Sequence, residues 1–495
     1  MSLSYTLPKL NYLEFGASWE REKNTVKNIA TDTLVANSFF FDVWRAYAQL
    51  PMSNNWRANA SYLYRNDYRP LSDSFLLTTV ANEANIGAKW EGNGVQSLDL
   101  NFTYRNLDVL DEDTLRTTAK AQNTYLGRAE YNLQWKQGFI RANTIYEVGS
   151  GQQQKVEYNY VQTDAGLGNY IWIDRNEDGI AQQNEFEISV FQDQADFIRV
   201  TVLSNEYIRT QNVNFSQSLE VTPKTIFARN MKVLDKRPFL KFITKLSTRS
   251  LFKIERKVFA ENAKQIFNPF LLQLEDTALV SFNSQIQNTL YFNRSMPNFS
   301  MEFTQYDTRN KNLLSTGFES RAKSEYSFLY RVKLWKSFMF NHSSNFGINR
   351  NASEFFPDRD YYINYYATAP TLNIIRSTNL RFILKYNYKQ QLNKIGNAEK
   401  STANTLSIEA NYNKLQSWNF RTQFSFVKIT FTGQENTPIA YAMNEGLSNG
   451  QNYLWTIAID KNIAQNIQFS LSYEGRKTGE NKIIHVGRAQ IRATF

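Results

Sequence analysis

Residues Asp174 to Glu185, DRNEDGIAQQNE, form the one run whose residue types and spacing specify a chemistry. They match D-x-[DN]-x-[DN]-G-x5-E at every fixed position. Side-chain oxygens of Asp174, Asn176 and Asp178, at the first, third and fifth places, face a common point. Gly179 permits the sharp turn. The Ile180 carbonyl adds a backbone oxygen, Gln182 acts through water, and Glu185 closes the shell with two carboxylate oxygens. An all-oxygen set in that order suits Ca2+. A polar surface turn can spell the same pattern. The flanks are not the two helices of an EF-hand, because YIWI reads as a strand and NEFEISVF is short and mixed. The expectation is a lone calcium clip in an insertion at about 150–209. Its role is structural rather than catalytic, since the loop itself fills the coordination shell.

The elements that must carry this insertion are read from the final stretch. From Gly487 onward, Gly487, Ala489, Ile491, Ala493 and Phe495 alternate with Arg488, Gln490, Arg492 and Thr494. A period of two sends the two sets to opposite faces of a strand. Two arginines do not suit a second buried face. Apolar residues toward lipid and polar ones toward a wet interior are what a closed membrane barrel requires.

The same alternation recurs along the chain. Leu98, Leu100, Phe102 and Tyr104 alternate with Asp99, Asn101, Thr103 and Arg105. Leu406, Ile408, Ala410 and Tyr412 alternate with Ser407, Glu409 and Asn411. Soluble sandwiches also make one-face-apolar strands. Here many runs reach about ten residues, the span of a tilted membrane strand. Short connections such as 51–55, 136–138 and 463–466 alternate with long polar ones such as 22–37, 66–74, 306–324 and 433–451. Short turns face the periplasm and long loops the exterior in outer-membrane barrels. Trp56, Trp135, Trp335 and Trp418 sit beside short turns, where an interfacial belt belongs. Counting back from Phe495 gives about 20 strands, with 18–22 as the range, an even number that leaves both termini on the periplasmic side. The fold class is all-β: a transmembrane antiparallel β-barrel occupying 1–495 as one domain. The stretch 225–280 is the least regular, with a long turn and a short helix expected in it.

Composition agrees. The 495 residues include 36 Phe and 28 Tyr but only 10 Pro, so aromatics are abundant and strand breakers few. Mean hydropathy is −0.51, which leaves no room for apolar membrane helices but is ordinary for a barrel. Without Cys there is no disulfide framework and no thiolate metal site. The net charge of +10 is spread along strands rather than clustered, which argues against nucleic acid as a partner. No charged-then-apolar leader opens the chain, so a mature form or the C-terminal part of a longer precursor is expected.

The inferred inward face carries Arg57, Arg105, Arg128, Arg141, Arg381, Arg421, Arg476, Arg488 and Arg492. These lumen-lining arginines suit passage of polar or anionic solutes or polymers. Pairing with acids on neighbouring strands would make them a solvated wall instead. The only histidines, His342 and His485, fall on the apolar parity, with no serine motif read beside either, so no enzyme is expected. The remaining alternative is a non-conducting surface anchor, or a component of an outer-membrane secretion or assembly complex.

GNYIWIDRNEDGIAQQNEFEISVFQDQADFIRV resembles a calcium-type insertion of uncharacterised outer-membrane proteins from Bacteroidota-type, Gram-negative bacteria. Phe495, ending an alternating strand, is similar to the membrane-insertion signal of outer-membrane barrels. The resemblance implies the cell outer membrane as location and Asp174, Asn176, Asp178, Ile180 and Glu185 as the Ca2+ set. It also implies outer-membrane lipid and the barrel-assembly machinery as partners, with a plug or a surface or periplasmic protein as a further one.

Overall fold

The computed structural model describes residues 2–6, 13–53, 55–110, 121–227, 237–259, 268–270, 279–294, 296–314, 317–414, 417–464 and 467–493. The alternating runs at 98–105, 406–412 and 487–493 all fall on observed strands. The strands are β1 Ser2–Thr6, β2 Glu14–Asn24, β3 Phe39–Ser53, β4 Trp56–Leu71, β5 Ser74–Gly92, β6 Gln96–Val109, β7 Gln122–Trp135 and β8 Ile140–Gln162. Then follow β9 Tyr170–Trp172, β10 Phe186–Ile188, β11 Phe197–Val221, β12 Leu246–Phe259, β13 Leu279–Phe292, β14 Phe299–Leu314, β15 Gly317–Trp335 and β16 Phe338–Ser353. The last are β17 Tyr361–Ile375, β18 Leu380–Asn393, β19 Lys400–Lys414, β20 Trp418–Thr432, β21 Gly450–Ala464, β22 Ile467–Thr478 and β23 Ile484–Ala493. Three short helices, α1 Lys224–Phe227, α2 Pro238–Ile243 and α3 Pro438–Asn444, complete the elements used below.

The chain divides into two units. Unit 1 comprises Met1–Gln154, Glu206–Ala228 and Ser250–Asn283; unit 2 comprises Lys155–Asn205, Arg229–Arg249 and Ser284–Phe495. In unit 1, β1 to β7 pair in sequence as an antiparallel meander. In unit 2, β14 to β23 do the same.

Register lines up the two faces. In unit 1, Ala46, Tyr62, Ala84, Tyr104 and Tyr125 form one continuous apolar row across five strands. In unit 2, Leu384, Ile408, Phe424 and Trp455 do so across four. These residues do not pack into a core between sheets. Phe102 is 47% exposed, Ile408 51% and Phe346 54%. A soluble protein does not leave contiguous aromatic and aliphatic rows in water.

The pattern also inverts at a definite height. Along β20, Trp418, Phe420, Thr422, Phe424 and Phe426 face out while Arg421, Gln423 and Ser425 face the polar side. Beyond Phe426 the polar-side positions become Val427, Ile429 and Phe431, at 5%, 3% and 7% exposure, and Lys428, Thr430 and Thr432 turn outward. Trp418 to Phe426 is the nine or so residues needed to cross hydrocarbon. Above it the outside is wet and the inside packs against α3. Ile363, Val427, Ile429, Phe431, Ala440 and Met443 form this small core at the long-loop end of unit 2.

At the short-turn ends the tryptophans stay exposed. Trp56 lies 6.1 Å from Trp90, and Lys136 sits 4.4 Å over Trp135. Lys461 sits 4.5 Å over Trp418 on the outward face. An amphipathic ring beside a lysine head is the chemistry of a headgroup layer.

Several boundaries differ from expectation. The chain has 23 strands among the described residues rather than 18–22. The additions are β1, antiparallel to β2, and the β9–β10 hairpin inside the insertion. β1 lies along β2 from Ser2 opposite Glu20 to Thr6 opposite Gly16. The loops expected over 66–74 and 306–324 are largely strand: Leu71 pairs with Ser74, and Leu314 with Gly317. Polar cross-strand ladders sustain a strand beyond the apolar band, so polarity alone does not mark where it ends. Within the irregular stretch 225–280, Pro238 opens α2 and β12 begins only at Leu246. Residues 228–236, 260–267 and 271–278, where the long turn and short helix of the stretch 225–280 are expected, and the terminal Phe495 lie outside the described residues.

Candidate functional site

The site of interest is the insertion and the part of unit 2 that it touches. β8 runs on to Gln162 and β11 starts at Phe197, so 163–196 remain between them. This segment has its own aromatic centre. The Phe186 ring stacks on Tyr160 at 4.0 Å and meets Phe197 edge-on at 5.0 Å. A side chain at Gly168 would meet the Phe197 backbone at 2.5 Å, so only glycine allows this approach.

Three contacts hold the insertion to its own unit. Arg476 of β22 makes a two-pronged ion pair with Asp193, one arm at 2.7 Å, and its guanidinium stacks 4.1 Å over Phe191. Tyr441 of α3 donates to the Ile188 carbonyl at 3.2 Å and accepts from Val190 N–H at 3.1 Å. Arg359 donates to the Phe186 carbonyl at 3.3 Å and lies 3.5 Å from Glu187. The insertion is thus a docked element with buried charge pairs, not a free loop held by its tip.

The calcium-type residues make a compact, self-bonded turn. Asp174 accepts from Gly179 N–H at 2.9 Å, with Gly179 at φ +72. Asp178 accepts from Ile180 N–H at 2.7 Å, from Gln182 at 2.7 Å and from Asn176 at 2.8 Å. Glu185, 2% exposed, accepts from Trp172 Nε1 at 2.8 Å, from Gln182 N–H at 3.2 Å and from Arg175 N–H at 3.3 Å. Burial pushes the Glu185 carboxyl up, but these three donors outweigh it and hold the group below the usual carboxylate range. Asp174 Oδ1 is buried with no partner. Among the described residues, no three His, Cys, Asp or Glu side chains gather closely enough to hold a metal on their own. Asp174, Asn176 and Asp178 bring side-chain oxygens to one turn, where those of Asn176 and Asp178 accept from donors within it and Asp174 Oδ1 does not. The Glu185 oxygens are taken up by N–H donors.

The nine arginines expected to line a lumen lie, by register, on the face opposite the apolar rows. In unit 1, Arg57 opposes Lys89 and Arg105 opposes Glu83; Arg141 opposes Gln134. Arg128 bonds Glu147 at 2.8 Å and Glu130 at 3.2 Å. In unit 2, Arg381, Asn411 and Arg421 share one row, and Arg421 donates to Asn411 at 3.2 Å. Arg488 opposes Ser472 and Arg492 opposes Gln468. The structure separates two of the nine by role. Arg128 belongs to a paired wall, and Arg476 anchors the insertion.

Both histidines lie on the apolar parity as expected, but one has a serine. His342 Nε2 is 2.9 Å from Ser344 Oγ and 3.2 Å from Thr368 Oγ1, and its ring stacks on Tyr330 at 5.4 Å. A period-two neighbour on the same face supplies this contact, which a search for a serine motif in sequence overlooks. His485 Nδ1 pairs with the Tyr473 hydroxyl at 2.8 Å.

No protein-family model matches the chain, and no curated protein does. Among solved structures, the chain is similar to the siderophore receptor PirA from Pseudomonas aeruginosa. There the TM-score is 0.41 and identity 9%, over 99% of this chain and 74% of that one. It is also similar to the FrpB iron transporter from Neisseria meningitidis, with TM-score 0.35 and 9% identity over 96% and 74%. For the copper transporter OprC the values are 0.38 and 6% over 97% and 74%. Likeness at this level defines no activity for the chain.

The docking residues Asp193, Arg359 and Tyr441 escape sequence reasoning. Nothing in local spacing links residues 283 and 251 positions apart, as Asp193–Arg476 and Val190–Tyr441 are.

Proposed function

We propose that this chain is a β-barrel of the Gram-negative outer membrane. It acts as a gated passage for polar or anionic solutes or polymers. The observation that carries the reading is the exposed apolar band with a charged opposite face, inverted where β20 leaves the band. Outer-membrane lipid covers the band. The polar face is the wall of a hydrated interior, and its arginines bias that interior toward anions. The barrel-assembly machinery receives the C-terminal strand, and a plug or partner protein occludes the interior between passages. The α3 core and the docked insertion cover the long-loop end of unit 2's polar face, which is the gating element.

The test is conductance of the purified protein in a planar bilayer, with and without the substitution Asp193→Ala. Small or absent current in the native protein, rising and favouring anions when the insertion is released, is expected. No current in either form supports the second reading, a surface anchor or a component of a secretion or assembly complex. The same roof over the polar face favours that reading too. No catalytic role is assigned. The His342–Ser344 pair stands on the lipid-facing side, where a general base has no water to work with.

Calcium belongs to this proposal as a structural ion. Asp174, Asn176, Asp178, the Ile180 carbonyl and Glu185 would hold it, with affinity of roughly 0.1–1 mM as in external modules. Calcium is expected to slow proteolysis within 163–196, and a chelator to reverse this; protection unchanged by either removes the ion from the account. Acid tests the same loop. Because Glu185 is held below the ordinary carboxylate range, its stabilisation is complete above that range and is lost as pH falls through the lowered value. Protease resistance of the insertion should therefore persist at neutral pH and be lost as pH falls below the ordinary carboxylate range.

A further inference from the structure

A cavity of about 400 Å3 lies between the insertion and the α3 loop, within unit 2. Its volume is in the range of small-molecule sites. The geometry points to a binding site for an acidic, hydroxyl-rich ligand, a uronic-acid-type sugar unit. Arg175, the second residue of the calcium-type run, lines the cavity. Its Nη2 bonds Glu187 at 3.2 Å, while Nε and Nη1 are buried with no partner. A buried guanidinium with unused donors on both edges is costly, and a carboxylate taking Nη1 together with the second Nη2 hydrogen is the group that relieves it.

The facing wall fits the rest of such a ligand. Asn436, Asn444, Ser448 and Glu435 present amide, hydroxyl and carboxylate groups suited to sugar hydroxyls. Asn449 donates to Glu435 at 3.1 Å, which fixes that carboxylate at the rim. Tyr441 spends its hydroxyl on the insertion and adds an aromatic surface to the lining. A lining this polar does not suit a lipid-like molecule. The site is independent of whether the barrel conducts.

The test uses the full chain in detergent, titrated by calorimetry with trigalacturonate, with neutral galactotriose and with inorganic phosphate. Trigalacturonate is expected to bind, and galactotriose and phosphate to bind far more weakly. Arg175→Gln should weaken trigalacturonate by roughly ten- to a hundredfold, the worth of charge-assisted hydrogen bonds. Ser448→Tyr, which fills the cavity from the wall opposite Arg175, should abolish binding while the strands β14 to β23 stay protected from hydrogen exchange. Equal binding of the neutral sugar removes the arginine's role. Equal binding of phosphate makes this a bare anion site. No binding of any probe means the cavity is occupied by its own side chains. Each of these three overturns the inference, and none bears on conductance.

Discussion

Arg placed at Ile457 is expected to block membrane assembly, whereas Arg placed one residue earlier, at Thr456, is expected to be tolerated. Ile457 faces outward at the middle of β21, between Thr422 and Tyr473. A cation at the hydrocarbon midplane costs about 2–4 kcal/mol on a barrel's lipid face. Thr456 points the other way, between Gln423 and Glu474, so the new guanidinium gains water and an acid to pair with. Refolding into vesicles, read by urea titration, separates the two. Equal losses from both substitutions would mean that the two faces of β21 see the same surroundings.

The second large effect is at the latch. Arg476 and Asp193 side chains are 8% and 16% exposed. Removing one partner of such a pair strands a buried charge, at a cost of about 3–5 kcal/mol. Arg476→Ala is expected to release 163–196 to protease and hydrogen exchange while β14 to β23 stay protected. The double substitution with Asp193→Ala should cost little more than either single one, because both remove the same interaction. Additive costs would show that the two residues act separately. Of the two, Asp193→Ala is the better probe of gating, since Arg476 also stacks on Phe191.

Period-two alternation made the strands legible. Leu98 to Arg105 and Leu406 to Tyr412 declare both faces within a few residues, and register then follows from parity. The shared parity of the nine arginines was legible for the same reason. Three things were not. The ends of β4, β5, β14 and β15 were hidden because Asp67, Arg69, Lys311 and Asn312 read alike in a loop and in a solvated strand. The switch to Val427, Ile429 and Phe431 on the inner face reads in sequence as continued alternation, since a change of surroundings leaves the period intact. The docking of the insertion was hidden because Asp193, Arg359 and Tyr441 are ordinary surface residue types until the fold brings them to their partners. The calcium-type run was visible as a pattern. That Trp172 and two backbone N–H groups occupy Glu185 depended on geometry that no spacing encodes.

The most direct test uses the absence of Cys from this chain. Single cysteines at each position from Leu406 to Tyr412 carry a spin label, one at a time, in protein refolded into lipid vesicles. The account predicts that labels at 406, 408, 410 and 412 collide with oxygen dissolved in the acyl chains. Labels at 407, 409 and 411 should collide instead with a water-soluble nickel chelate. Uniform accessibility along the strand, or protection of the even positions from both reagents, would contradict it.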